Sequence, residues 1–199
     1  MRIVVVGATG TIGRAVASAL QSAGHEIVSV SRNSTPITVE LSDTASIISM
    51  YKLVGQVDAI VSATGTARFK PFHELSDEDY EYSLHNKLMG QVNLVRYGLE
   101  GVRDGGSITL TSGVLARTPM TGSAAVSLVN AGLEGFVRAA ALEAPRGIRV
   151  NAVSPPWVTE TLEKLGMDTS IGLTAETVAR AYVESITGSQ TGAVIEPRA

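Results

Sequence analysis

The sequence predicts an α/β fold, one doubly wound parallel sheet with helices on both faces. Three observations lead there. The chain opens on an unbroken apolar run, Ile3, Val4, Val5 and Val6, as a strand buried on both faces requires. Short runs rich in Val, Ile and Thr then alternate with longer stretches of helical periodicity along the whole chain. At 199 residues, 44% of them hydrophobic, the chain suits a single domain spanning 1–199 with a sizeable core, free of repeats, linkers and low-complexity tracts.

The first strand runs straight into Gly7, Gly10 and Gly13, and then into an apolar-periodic segment (Ile12, Val16, Ala19, Leu20). Strand, glycine turn and helix together are the setting in which such glycines hold a dinucleotide. Gly7 permits the tight turn, Gly10 lets the backbone approach a pyrophosphate, and Gly13 lets helix and strand pack closely. Thr9, Thr11 and Ile12 complete this loop, whose N–H groups and helix dipole favour phosphate. Taken alone, the triplet would equally serve as an ordinary tight turn. The helix should cover 11–23 and stop at Gly24, a C-cap residue.

Residues 26–30 read as the second strand, whose end carries Ser31, Arg32, Asn33 and Ser34. In a dinucleotide fold this position meets the adenosine ribose. An acidic side chain there accepts from a free 2′-hydroxyl, whereas an arginine accommodates a 2′-phosphate. Arg32, with Ser31 and Asn33 as donors, argues for NADP(H) in preference to NAD(H); the alternative is a solvated loop arginine. Residues 31–36 are too few for a crossover helix before the third strand, 37–39, so this connection is abbreviated. Leu41 follows, placed to pack on an adenine. Asp43 or Thr44 can cap the next helix, which carries Ile47, Ile48 and Leu53. The fourth strand, 57–62, ends in Ala63, Thr64 and Gly65, small residues that let a cofactor come close.

Ser76 opens a long helix with Asp77, Glu78 and Asp79 in its first turn, where acids suit the dipole. Its periodicity continues past Lys87 to residue 99. Gly105 and Gly106 precede a fifth strand, 107–111, which leads into Ser112 and Gly113. A second long helix covers 123–143 and is broken by Pro145 and Gly147. Residues 148–153 then form the sixth strand, followed by Ser154, Pro155, Pro156 and Trp157. A last helix covers 175–186 and a last strand 192–195.

Composition narrows the function. Net charge is −3 and Lys and Arg do not cluster, so nothing argues for nucleic acid. The chain has no cysteine, and His25, His73 and His85 lack metal-ligand spacing, so no metal site is expected. No signal segment precedes the first strand, and no apolar run reaches the roughly 18 residues of a membrane span. The expectation is a soluble cytoplasmic protein with no membrane partner.

GATGTIG after the first strand, LTSG at the end of the fifth and AAALEAPRGIRVNAVSPPWV at 139–158 resemble the short-chain dehydrogenase/reductase family over nearly the whole chain. The resemblance implies a Rossmann-type sheet of seven strands in the order 3-2-1-4-5-6-7 and an NAD(P) cofactor. It also implies a small-molecule substrate, and homodimers or homotetramers formed through the two long helices and the last strand. The implied active site comprises a serine after the fifth strand, a Tyr-x-x-x-Lys pair on the following helix and an asparagine on the helix before. In that chemistry the tyrosine passes a proton to the carbonyl oxygen, the lysine lowers its pKa, and the serine hydrogen-bonds the reacting oxygen.

This chain departs from the pattern at almost every position. Alignment with the family sets Val126 in place of the tyrosine and Asn130 in place of the lysine. No other Tyr-x-x-x-Lys exists, because Tyr51, Tyr80, Tyr82, Tyr97 and Tyr182 all lack a lysine four residues on. The serine is either Ser112 or replaced by Gly113, according to one residue of loop length. Lys87 stands at the asparagine position as a candidate acid or base, a partner for a phosphate or carboxylate, or an exposed side chain. Asn130 keeps the option of bonding the nicotinamide ribose. Backbone groups around Pro155 and Val158 would hold the carboxamide, with Pro156 removing one donor. Trp157 and Met167 are candidates to line a substrate pocket. Three functions compete: an NADP(H)-dependent reductase with a non-standard site (candidate catalytic residues Lys87 and Ser112), a cofactor-binding sensor or regulator without turnover, and an isomerase or lyase reusing the pocket.

Overall fold

Seven strands, β1 (Arg2–Val6), β2 (Glu26–Ser31), β3 (Ile37–Thr38), β4 (Val57–Ser62), β5 (Val102–Thr111), β6 (Arg149–Val153) and β7 (Val194–Ile195), form one sheet in the order β3-β2-β1-β4-β5-β6-β7. Every pair is parallel. The computed structural model describes residues 1–198. The strand order is the one implied by the family resemblance, and the short β2–β3 connection is the abbreviated one read from the sequence. Helices α1 (Thr11–Ser22), α2 (Thr44–Val54), α3 (Asp77–Ser83), α4 (Gly90–Gly98), α5 (Ala124–Glu143), α6 (Thr159–Leu165) and α7 (Ala175–Thr187) make up the two outer layers.

β1 shows why its run had to be apolar throughout. Val4 and Val6 enter one core with Ile60, Leu94, Ile108 and Leu133, on the side of α2, α4 and α5. Ile3 and Val5 enter the other with Val16, Leu20, Val178 and Tyr182, on the side of α1 and α7. Successive side chains of a strand point to opposite faces, and here both faces are covered. Among the described residues only α5 is long and apolar enough, by length and composition, to cross a membrane. Glu134 and Arg138 interrupt it, and Val129, Leu133 and Val137 are fully buried in the protein.

Helix starts follow local chemistry. The Asp43 carboxylate accepts from Ala45 N at 2.9 Å to cap α2. Ser76 and Asp79 form a reciprocal capping box on α3. Thr174 Oγ1 accepts from Thr177 N at 3.2 Å to cap α7. α1 has no side-chain cap.

Three sequence readings change. β5 begins at Val102, so Gly105 and Gly106 lie within it. There the register against β4 shifts between Val57 and Ala59, and a Cβ on Gly106 would lie 2.5 Å from the Asp58 carbonyl oxygen. The long helix expected from Ser76 onward is α3 and α4 joined by a π-helical turn, Leu84–Met89. The segment after Trp157, which carried no signal, folds into α6 and a 3-10 turn, Thr169–Ile171.

α1 stacks on the turn that it leaves. Gly7 N and Ala8 N both donate to Val30 O, at 2.8 and 3.1 Å, and Gly10 N donates to Gly7 O at 2.9 Å. A Cβ on Gly13 would overlap the Gly7 carbonyl. Gly13→Ala is therefore expected to destabilise the fold by about 3 kcal/mol, the cost of overpacking against backbone. Gly135→Ala, at an exposed position of α5 with open space around it, should instead stabilise it by about 0.5–1 kcal/mol. Denaturant melts of the two variants check the opposite signs.

Candidate functional site

The carboxyl ends of the strands open on two adjoining clefts of about 210 and 250 Å³. Ala63, Thr64 and Gly65, just after β4, wall both. The first cleft brings together Gly7, Thr9 and Gly10 from the glycine turn, Ser31, Arg32 and Asn33 from the end of β2, and Leu41 from beyond β3. The second brings together Ile12, Lys87, Ser112, Asn130, Pro155 and Val158. Of the candidate cofactor and catalytic residues other than Gly13, which is buried under the turn, only Thr11 lines neither. Its hydroxyl accepts instead from Lys164 Nζ of α6 at 2.9 Å.

The first cleft fits an anion-bearing dinucleotide. α1 starts on Gly10 in extended conformation, with no capping side chain and no acid in its first turn. Its leading N–H groups are thus left to a ligand, at the positive end of the helix dipole. Arg32 is exposed on the rim and has no ion-pair partner among the described residues. Ser31 is less free than its sequence position suggests. Its hydroxyl is buried, accepts from Ser34 N at 3.1 Å and pairs with Thr35 Oγ1 at 3.1 Å, so it shapes the loop that presents Arg32.

Lys87 owes its place in the second cleft to the π-helical turn. Its neighbour Asn86 accepts from Thr66 N and Thr66 Oγ1 at 3.1 and 3.2 Å. The Lys87 stem lies over Gly65, which has φ +105°, and a Cβ on that glycine would meet Lys87 Cγ at 3.1 Å. The Lys87 ammonium donates to the Ser112 carbonyl at 3.3 Å and has no carboxylate partner among the described residues. Burial pushes its pKa down to about 8, because desolvation penalises the charged form.

Ser112 as a catalytic hydroxyl is corrected by the structure. Its Oγ is buried and donates to Asn130 O at 3.2 Å and to Glu134 Oε1 at 3.1 Å, both on α5. It offers the cleft its carbonyl and not its hydroxyl. Glu134 also faces the Arg117 guanidinium at 3.6 Å, and Arg117 pairs in turn with Glu196 beyond β7. Gly113 carries no side chain, and a Cβ there would lie 2.9 Å from Asn130 Nδ2. The Asn130 amide thus fills the space over Gly113, donating to its carbonyl at 3.4 Å, while Asn130 Oδ1 is buried without a partner. An orphaned buried acceptor in a cleft of this kind fits a hydroxyl-bearing ligand. Val126 lies one turn before Asn130 on the same face of α5 and does not reach the cleft.

Behind the site, the Gln91 amide clamps the end of β5 in both directions. It donates to Thr111 O at 2.9 Å and accepts from Thr111 N at 2.8 Å. The Pro155 carbonyl accepts from Val114 N at 2.9 Å. The Val158 N–H, at the start of α6, has no protein acceptor among the described residues and is free for a ligand. Sequence reasoning missed Val39, Glu40, Thr66 and Asn86 in the first cleft, and Leu115 and Thr161 in the second. Glu40 was findable beside Leu41; Thr66 and Asn86 reach the site only through the π-helical turn. Met167 does not line the second cleft.

A family model described as enoyl-(acyl carrier protein) reductase matches residues 7–193. A hydroxynaphthalene reductase of Aspergillus fumigatus is 29% identical over 147 residues, 71% of this chain and 54% of that protein. Human L-xylulose reductase is 28% identical over 178 residues, 81% of this chain and 73% of that protein. The chain spans about half the length, or less, of the fungal reductases it matches. Among solved structures, a Listeria innocua protein is similar with a TM-score of 0.95 and 40% identity, covering 100% of both chains. A small-chain dehydrogenase in complex with NADPH is similar with a TM-score of 0.88 and 28% identity, covering 98% of this chain and 95% of that one.

Ser112→Ala is expected to lower stability by about 1–3 kcal/mol, since it leaves Glu134 short of a donor, and to leave NADPH affinity unchanged. Thermal melting and fluorescence titration of the same variant check both halves.

Proposed function

The chain belongs to the short-chain dehydrogenase/reductase family, and from that membership we propose that it is an NADP(H)-dependent reductase that works without the family's Tyr-x-x-x-Lys pair. Its substrate would be a small organic carbonyl compound or activated alkene. The observation that carries this reading is the shared wall at Ala63, Thr64 and Gly65, which makes the two clefts one path from Arg32 to Lys87.

Arg32 favours the 2′-phosphate of NADP(H), for which a guanidinium is matched in charge and geometry. The acid on the same wall, Glu40, is turned to Ser42 N and Ser42 Oγ at 3.2 and 3.0 Å, so it does not oppose the phosphate directly. A nicotinamide, when bound, would supply hydride to a substrate carbon. Lys87 sets its ammonium against the substrate oxygen that gains electron density, gives that oxygen a proton, and recovers one from solvent. The Ser112 carbonyl holds the amine during this cycle. Asn130 Oδ1 would accept from a ribose hydroxyl, and Val158 N–H would donate to the carboxamide.

A second reading, a cofactor-binding regulator, draws on the missing pair and on the inward Ser112 hydroxyl. Tight NADPH binding with no turnover across ketones, enones and imines would establish it and overturn the reductase. Association through the outer face of α5, where Leu128 and Leu142 are 48% and 88% exposed, is part of the proposal and is read by sedimentation.

Arg32→Ala is expected to weaken NADPH by about tenfold, one charge-assisted contact, with NADH unaffected; equal affinities for both in the wild type would sink the preference. The Lys87 proton is present below its pKa and lost above it. Reductase kcat/KM should therefore be flat at lower pH and fall as pH rises through about 8, and Lys87→Met should remove both the break and most of the activity.

A further inference from the structure

We propose that the second cleft selects an apolar, aromatic carbonyl compound, its ring against Trp157 and Phe69 and its oxygen toward Lys87. This rests on the reading of the cleft as a reductase site and adds the substrate class.

Trp157 lines the cleft, and next to it two loops tied together carry its aromatic partner, Phe69. Lys70 N donates to Gly122 O at 3.0 Å, joining the loop after β4 to the loop before α5. Phe69 packs against Gly122, which has φ +87°, and a Cβ there would sit 2.9 Å from Phe69 Cε1. Trp157 meets Phe69 edge to face, with centroids 6.4 Å apart and planes at 69°. Its backbone is fixed, because Trp157 O accepts from Leu173 N at 2.9 Å and Thr159 N donates to Leu173 O at 2.9 Å. Phe69 nonetheless stays 47% exposed, an aromatic surface held in position beside the cleft.

Inside, Ile12, Val114, Leu115 and Val158 give apolar walls. The polar side chains that line the cleft are mostly engaged. Thr111 Oγ1 donates to Ser62 O at 2.5 Å and pairs with Tyr182 OH at 2.6 Å, and Ser112 Oγ bonds Glu134. Lys87, Asn130, Thr64 and Thr161 remain, and the cofactor reading assigns Asn130 to the ribose. A polyhydroxylated substrate would lay most of its hydroxyls against these apolar walls, where an unpaired polar group is costly. A planar aromatic ketone needs one polar contact and covers the rest with ring surface, in the edge or offset geometries aromatic groups prefer.

Trp157 is the single tryptophan of the chain, so its emission reports on this cleft alone. The intact protein is titrated with β-tetralone, cyclohexanone and dihydroxyacetone, with and without NADPH. The expected result is saturable quenching by β-tetralone, a half-saturation about tenfold higher for cyclohexanone, and no saturation by dihydroxyacetone. Phe69→Ala, an exposed position that the fold tolerates, should raise the β-tetralone half-saturation about fivefold and leave energy transfer from Trp157 to NADPH intact. Dihydroxyacetone binding as well as β-tetralone, or transfer to NADPH with no β-tetralone saturation, overturns the substrate class alone. Absence of transfer to NADPH overturns the cofactor reading and this proposal with it.

Discussion

Gly13 sits against the Gly7 carbonyl with no room for a side chain, and that contact decides where α1 can begin. Because α1 starts directly on the turn, its first N–H groups point past the end of β1 with no side chain to receive them. The chain caps α2, α3 and α7 with Asp43, Ser76 and Thr174, whereas α1, like α5 and α6, starts with no side-chain cap. The double acceptance by Val30 O from Gly7 N and Ala8 N then ties the turn to β2, whose end carries Arg32. Phosphate cradle and ribose site are thus set by one short piece of backbone.

What could be read in the sequence was whatever depends on backbone and on burial. β1 is apolar on both faces because both faces are covered, and the glycine turn has the same shape wherever it follows such a strand. The π-helical turn was not legible. One additional residue in a helical turn leaves no mark in composition, yet it places Asn86 on Thr66 and Lys87 over Gly65. α6 escaped for a different reason, since Leu162 is its one buried residue and gives no periodicity to find. The direction of the Ser112 hydroxyl depends on Glu134, nearly three helical turns into α5 and 22 positions away, which no local pattern encodes.

The two halves of the cleft are therefore different in kind. In the proposed cofactor half, the uncapped start of α1 offers main-chain N–H groups. The other half relies on a lysine in a poorly solvated setting, where a charge interacts strongly with whatever enters. Behind it, Glu134 is held by Ser112 and Arg117, and Arg117 reaches Glu196. This clip joins the loop after β5, α5 and the tail beyond β7, so the floor of the reacting half is braced by long-range ion pairs while its roof is a short helix.

The Asn130 amide over Gly113 has a consequence for the routes open to mutation. A side chain at 113 and an amide at 130 claim the same volume, so neither position can acquire the family's usual residue while the other stays as it is. A serine introduced first meets the amide; a longer residue placed first at 130 loses the bond to the Gly113 carbonyl and gains nothing. The side chain at 113 and the amide at 130 compete for one volume, so substitutions at the two positions are expected to be coupled.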